Sequence, residues 1–180
     1  MAKKITLLTG SPRRGGNTDL LTDAFVKGAL ESGNEVFRFD TAALNIAACL
    51  DCKYCFQHAG ECEQKDDMQE IYTALRQSEV LVLASPIYFF DFSAQLKLAI
   101  DRMYNSVGRP YPIKECALLL VCADNDASVA DGAINTYQAI YSYLNWQNLG
   151  IVLQTGVSDK GEITGKDALV KAKKLGESIR

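Results

Sequence analysis

Short apolar runs alternate with amphipathic segments along the whole chain. Five of the runs read as strands: "KITLLTG" (4–10), "EVFRFD" (35–40), "EVLVLASP" (79–86), "CALLLVCA" (116–123) and "LGIVLQTG" (149–156). The second is the weakest and reads as nearer an edge. The others are close to continuously apolar, as expected of strands covered on both faces. Helical periodicity fills the intervals. Leu21, Ala24, Phe25, Gly28 and Ala29 share one face of a helix predicted over 17–33, which Gly33 can end. Met68, Ile71, Tyr72 and Leu75 form the stripe of a second helix, with Asp66 as its cap and Gln69 completing a capping box. Phe92, Leu96, Ile100 and Met103 mark a third, Ala133, Tyr137, Ile140 and Leu144 a fourth, and residues 164–178 a weaker last one.

Five strands alternating with five helices predict one α/β domain over residues 1–180, with a cysteine-rich loop at 45–65. The right-handed crossover rule makes it a three-layer sandwich, most simply flavodoxin-like with a five-stranded parallel sheet in order 2-1-3-4-5. Such sheets bind ligands beyond the carboxyl ends of their strands, where the winding reverses. The loops after strands one and three are therefore the expected site, with help from the loop after strand four.

Composition narrows the function classes. The 180 residues are 48% hydrophobic and 23% charged, ordinary for a globular chain that can bury its own core. A net charge of −3 gives no electrostatic case for nucleic acid or an anionic membrane. The N-terminal apolar run is short and reaches Gly10 and Pro12 too early for a signal peptide; no later run is long enough to cross a bilayer. A cytoplasmic location is expected, where clustered cysteines more often bind metal or do redox chemistry than form disulfides.

The loop after strand one, "TGSPRRGGNTD" (9–19), opens a helix, so its amides and the helix dipole favour an anion. Ser11 and Thr18 offer hydroxyls, Asn17 an amide, Arg13 or Arg14 a cationic fork, and Gly15 and Gly16 a close backbone approach. Arg13, nearer the strand end, is the arginine expected to face the anion. Gly16 stands where a Walker loop needs lysine, and Pro12 where the dinucleotide fingerprint needs its second glycine. A terminal phosphate held without magnesium fits these residues. The loop after strand three, "SPIYFFDF" (85–92), is aromatic at the sheet's carboxyl edge and suits a flat, partly apolar ring, with amides near Ile87, Tyr88 and Phe89 for its heteroatoms. Asp124 and Asn125, after strand four, are placed to meet that ring or its chain, although turn chemistry explains them equally well. Cys116 and Cys122 read as buried core thiols, His58 as an exposed loop residue, and Lys97 and Asp101 as an i,i+4 pair.

"GSPRRGGNT", "SPIYF" and "LKLAIDR" (96–102) together resemble the flavodoxin-fold NAD(P)H-dependent FMN reductases. The cysteine segment narrows this to members resembling the iron–sulfur flavoproteins. The resemblance implies FMN, with its 5′-phosphate on Ser11, Arg13, Asn17 and Thr18 and its isoalloxazine edge against Pro86, Ile87, Tyr88 and Phe89. Arg102 is not expected to be catalytic.

"CLDCKYCFQHAGEC" carries Cys49, Cys52, Cys55 and Cys62 in the spacing C-x2-C-x2-C-x6-C. Four thiolates suit a [4Fe–4S] cluster or an all-cysteine zinc site, and a loop without metal is the third reading. The loop is expected to be irregular and to lie beside the flavin end of the sheet. The sequence thus predicts an FMN-dependent oxidoreductase. It would take electrons from NAD(P)H or a ferredoxin-like donor and pass them to a small-molecule or protein acceptor, with a homo-oligomer helping to cover the flavin. A flavin-binding electron carrier or redox sensor, and a zinc-stabilised interaction module, are the alternatives.

Overall fold

The computed structural model describes residues 2–180 and has the predicted α/β architecture. In chain order the elements are β1 (Lys4–Thr9), α1 (Asn17–Glu31), β2 (Glu35–Asp40), α2 (Tyr54–Gln57), α3 (Met68–Leu75), β3 (Val80–Tyr88), β4 (Asp91–Phe92), α4 (Ala94–Arg102), β5 (Glu115–Val121), α5 (Asp131–Leu144), β6 (Gln147–Gln154) and α6 (Asp167–Glu177). The five long strands are parallel and ordered β2-β1-β3-β5-β6, which is the expected winding, with β2 at one edge.

Continuous apolar strands serve two cores at once, because successive side chains point to opposite faces. Ile5, Leu7, Val80, Val82, Ala117 and Leu119 meet Leu21, Phe25 and Ala29 of α1 and Ala168 and Ala172 of α6. Leu8, Leu81, Leu83, Leu118 and Leu120 meet Met68, Ile71 and Leu75 of α3, Leu96 and Ile100 of α4, and Tyr137 of α5. Each such residue taken fully out of water contributes about 1.5–3 kcal/mol before chain entropy is counted.

Two local expectations are corrected. The aromatic stretch after strand three folds back as a hairpin: β3 runs on to Tyr88, and β4 pairs with it antiparallel, Ile87 opposite Phe92 and Tyr88 opposite Asp91. Phe92 therefore belongs to β4, although it is buried in the core as its apolar character required. Helix α4 starts only after Ser93, whose side chain caps it. The second correction concerns Asp66. It does accept a hydrogen bond from the Met68 amide, but Gln69 reaches back to the Gln64 carbonyl, so no capping box forms. The Asp66 carboxylate is held instead by Arg102 from α4, an ion pair between sequence-distant residues that local pattern cannot reveal.

Candidate functional site

At the carboxyl edge of the sheet the ends of β1, β3 and β5 surround a cleft of about 110 Å³. Ser11, Arg13, Asn17, Thr18, Pro86, Ile87 and Tyr88 line it, together with Val121, Cys122, Ala123, Val157 and Ser158. Seven of the eight residues predicted to meet the cofactor thus share one cleft. Phe89 is not among them: it is 97% exposed at the hairpin tip. Phe89 and Phe90 occupy the two central turn positions with φ of 48° and 71°. These left-handed conformations are normally left to glycine or asparagine, and strain of this kind gathers at ligand clamps.

The first turn of α1 is uncapped. Gly16 offers no side chain, and the helical bonding begins only with the Leu20 amide on the Gly16 carbonyl. The amides of Asn17, Thr18 and Asp19 are left at the cleft end of the helix, where the dipole favours an anion. Arg13 stands beside them, with Nη1 donating to the Ser158 carbonyl at 2.9 Å. Arg14 points elsewhere and pairs with Asp40 at the end of β2. Asp19, the one acid near this turn, is occupied by the Gly15 amide and by Arg38.

Asn17 has a second employment that the sequence did not announce. Its Oδ1 accepts from the Gly161 and Ile163 amides, and its Nδ2 donates to the Asp159 carbonyl at 2.9 Å. It therefore clamps the loop after β6 into the cleft wall and keeps one amide hydrogen for a ligand. That loop is the part of the site sequence reading missed; its only signal was its place after a strand's carboxyl end. Asp124 and Asn125 follow the turn reading: Asp124 accepts from the Asp126 amide, and the Asn125 side chain packs on Gly156. Two buried serines join the halves of the cleft. The Ser93 hydroxyl donates to the Gly10 carbonyl at 2.8 Å, and the Ser93 amide donates to the Ser85 hydroxyl at 3.0 Å. A Cβ on Gly10 would lie 2.3 Å from Ser93 Oγ, so only glycine lets the two loops approach so closely.

The four cysteines line a different, smaller cavity with Arg102, Tyr104 and Asn105. It shares no lining residue with the cleft, and its walls belong to the carboxyl end of α4, whereas the cleft is buckled to the amino end through Ser93. The expectation that this loop sits beside the flavin end of the sheet is therefore overturned. The segment leaves β2 at the carboxyl edge but then runs down the outside of the sheet, anchored by buried Ile46 and by Asn45 and Asp67, whose backbones bond each other. It is also less irregular than predicted, since Tyr54–Gln57 form the short helix α2.

The loop is firmly docked. Gly60 accepts from both Asn105 Nδ2 at 2.7 Å and Arg76 Nη2 at 2.7 Å. Gly108 packs so tightly that a Cβ there would lie 2.1 Å from the Cys55 carbonyl. Cys49 and Cys52 are exposed, Cys55 and Cys62 partly covered. Burial pushes the Cys55 thiol up, and the neighbouring Cys62, Cys52 and Cys49 push it the same way. His58 lies outside this set: it stacks flat on Tyr54 at 3.6 Å and is exposed. Among the described residues no three cysteine, histidine or acidic side chains converge on one point, as a single bound ion would require. Cys49, Cys52, Cys55 and Cys62 nevertheless line one cavity together.

The family of NADPH-dependent FMN reductases matches residues 3–150, which takes in the cysteine loop and all of the cleft lining except Val157 and Ser158. The chain belongs to this family. An iron–sulfur flavoprotein of Archaeoglobus fulgidus is 39% identical over 103 residues, 57% of this chain and 46% of that protein. An iron–sulfur flavoprotein of Methanocaldococcus jannaschii is 35% identical over 99 residues, 55% of this chain and 51% of that one. The matches thus span about half the length of these relatives. YwqN of Bacillus subtilis, named as an NAD(P)H-dependent FMN-containing oxidoreductase, is 28% identical, with 96% of both chains covered. In fold, the chain is similar to an NAD(P)H:quinone oxidoreductase from Methanothermobacter marburgensis, with a TM-score of 0.78 at 17% identity, covering 98% of this chain and 96% of that one. Membership in the FMN reductase family agrees with the residues present in the cleft. The uncapped amides of α1 and the Arg13 fork suit a terminal phosphate, and the Pro86–Tyr88 edge suits a flat ring. Among the described residues no helix is long and apolar enough to cross a membrane.

Proposed function

We propose that the protein is an FMN-dependent oxidoreductase that accepts electrons from NAD(P)H and passes them to a small-molecule or protein acceptor. The observation that carries this is the single cleft uniting an anion-ready helix start with an aromatic sheet edge. The amides of Asn17, Thr18 and Asp19, the Ser11 and Thr18 hydroxyls and the Arg13 fork would hold the 5′-phosphate. Ile87 and Tyr88 would offer amides and apolar surface to the ring, while Pro86 lines the cleft beside them. The strained Phe89–Phe90 tip would then be an edge that a nicotinamide, an acceptor or a second copy of the chain covers. Bound FMN supplies the redox chemistry, accepting electrons in pairs and releasing them in pairs or singly. The chain's part is to fix the phosphate, align the ring and leave one ring face open.

The same reading assigns Cys49, Cys52, Cys55 and Cys62 to a [4Fe–4S] cluster. Its support is one cavity lined by all four cysteines and a loop already docked through Gly60 and Gly108. Protein purified without oxygen is expected to show the two visible bands of FMN with a broad additional shoulder, and NADH or NADPH is expected to bleach the flavin bands anaerobically. Flavin that stays oxidised with both nucleotides and bleaches only with reduced ferredoxin overturns the nicotinamide donor and makes the protein an electron carrier.

A further inference from the structure

Arg102 is the last residue of α4, and its side chain is only 1% exposed. Every donor is directed. Nη1 reaches the Ala47 carbonyl at 2.9 Å and Asp66 Oδ2 at 2.7 Å. Nη2 reaches Asp66 Oδ1 at 3.1 Å and Cys62 Sγ at 3.3 Å. Nε reaches the Tyr72 hydroxyl at 3.2 Å, and that hydroxyl donates to the carbonyl of Arg102 itself at 3.1 Å. A guanidinium so placed is rigid and permanently charged.

Cys62 is the uncommon member of this shell. A neutral thiol is a weak acceptor, and a buried charge-assisted donor gains little from it. An anionic sulfur is a strong one. Asp66 and the Ala47 carbonyl already tie the loop to the helix, and the one donor left on the buried guanidinium is directed at the Cys62 sulfur, which accepts strongly only when anionic.

We propose that Arg102 is the positioning residue of the four-cysteine site: it fixes Cys62 and sets a permanent positive charge against the anionic group that four thiolates hold. This rests on reading those cysteines as cluster ligands. Outer partners of this kind orient ligands, and the potential of a cluster follows its net charge and the hydrogen bonds to its sulfurs. Arg102 would thus raise the potential, because the reduced and more negative state gains most from the charge. Its place in "LKLAIDR" would then reflect the cysteine site and not the flavin.

The test is anaerobic reconstitution with iron and sulfide, followed by iron analysis and a potentiometric titration read by electron paramagnetic resonance. The chain as it stands is compared with Arg102→Gln combined with Asp66→Asn, which removes the guanidinium beside Cys62 together with its more distant counter-charge and so leaves no buried carboxylate unpaired. Thermal unfolding of the iron-free forms checks that both fold. The unaltered chain is expected to take up about four irons, and the double variant to show a lower midpoint potential or a lost share of its iron. A folded double variant with unchanged iron and potential overturns the role of Arg102. An unaltered chain that takes up no iron overturns the cysteine reading itself, and the proposal with it. Should the double variant not fold, Arg102→Lys decides. Its shorter ammonium keeps to Asp66 and leaves Cys62 without a donor, so a smaller drop in potential is expected and an unchanged potential overturns the proposal.

Discussion

Adjacent arginines in one loop have different tasks. Arg13 lines the cleft, whereas Arg14 is 68% exposed and pairs with Asp40. Loss of a charge-assisted phosphate contact costs about 1.5–3 kcal/mol, and an exposed ion pair is worth about 0–1 kcal/mol. Arg13→Ala is therefore expected to weaken FMN about tenfold or more, and Arg14→Ala hardly at all, as measured by flavin fluorescence titration. Equal losses in both variants would remove Arg13 from the phosphate site. Asp66 carries a pH prediction. Burial raises its carboxyl pKa, but the Arg102 hydrogen bond, the Ala47 amide and the Arg102 charge outweigh this and hold it below the ordinary range. Its stabilising contribution is complete above an unfolded pKa of about 3.9 and is lost as pH falls through the lower folded value. Asp66→Asn is expected to destabilise the protein at neutral pH, because the buried guanidinium loses its counter-charge, by up to about 3–5 kcal/mol. It is also expected to flatten the acid limb of stability below about pH 4 in urea melts run across pH. At this scale the sequence pointed, by distance from the strand end, to the arginine that lines the cleft. It could not reveal that Asn17 would be shared between a ligand and the loop after β6, because those partners lie more than 140 positions away.

Among the elements, α1 and α6 illustrate packing that only glycine permits. A Cβ on Gly28 would stand 2.0 Å from the Lys173 carbonyl, and one on Gly176 would stand 2.2 Å from the Phe25 carbonyl. Gly28→Ala would normally help a helix, since alanine is its best former. Here it is expected to destabilise by about 1–3 kcal/mol through backbone overlap, read from the urea midpoint. The hairpin after β3 reverses the usual expectation in the other direction. Phe89 has positive φ and is almost fully exposed, with only the Phe90 ring edge-on beside it, so Phe89→Gly is expected to stabilise the flavin-free chain by about 1 kcal/mol. If the tip covers the ring once FMN is bound, the same change weakens FMN. Unaltered FMN affinity would exclude Phe89 from the site. The sequence pattern gave no sign of this hairpin: residues 85–92 read as a loop, with Phe92 opening the helix that Ser93 in fact caps. The cysteine loop was misplaced for a related reason. Its attachment to β2 is local, while its destination is set by Gly108, Asn105 and Arg102, all from beyond β3.

As a whole molecule the protein is a two-sided sheet whose cleft is built at the carboxyl ends of its strands, from the start of α1 and from the loops that follow. Stability and binding are therefore linked through those loops. A ligand present at about 100 times its Kd adds about 2.7 kcal/mol to the folded state. For a chain of this size that corresponds to a rise in Tm of about 5–10 °C on adding excess FMN to the apoprotein. Riboflavin, which lacks the phosphate, is expected to produce a much smaller rise. Equal shifts with both compounds would mean that the α1 cradle does not read the phosphate.

The strand order, the two helical layers and seven residues of the cleft followed from the chain itself, because each depends on short-range regularities. Alternation along a strand, periodicity along a helix and the uncapped start of α1 are all written within about twenty neighbouring positions. The route of the cysteine loop, the pairing of Asp66 with Arg102, the clamp made by Asn17 and the fold-back of β4 depended on residues brought together from distant parts of the chain. Those contacts are decided by which buried charges and carbonyls find partners once the two layers have closed over the sheet, and an unpaired group there costs too much to be left.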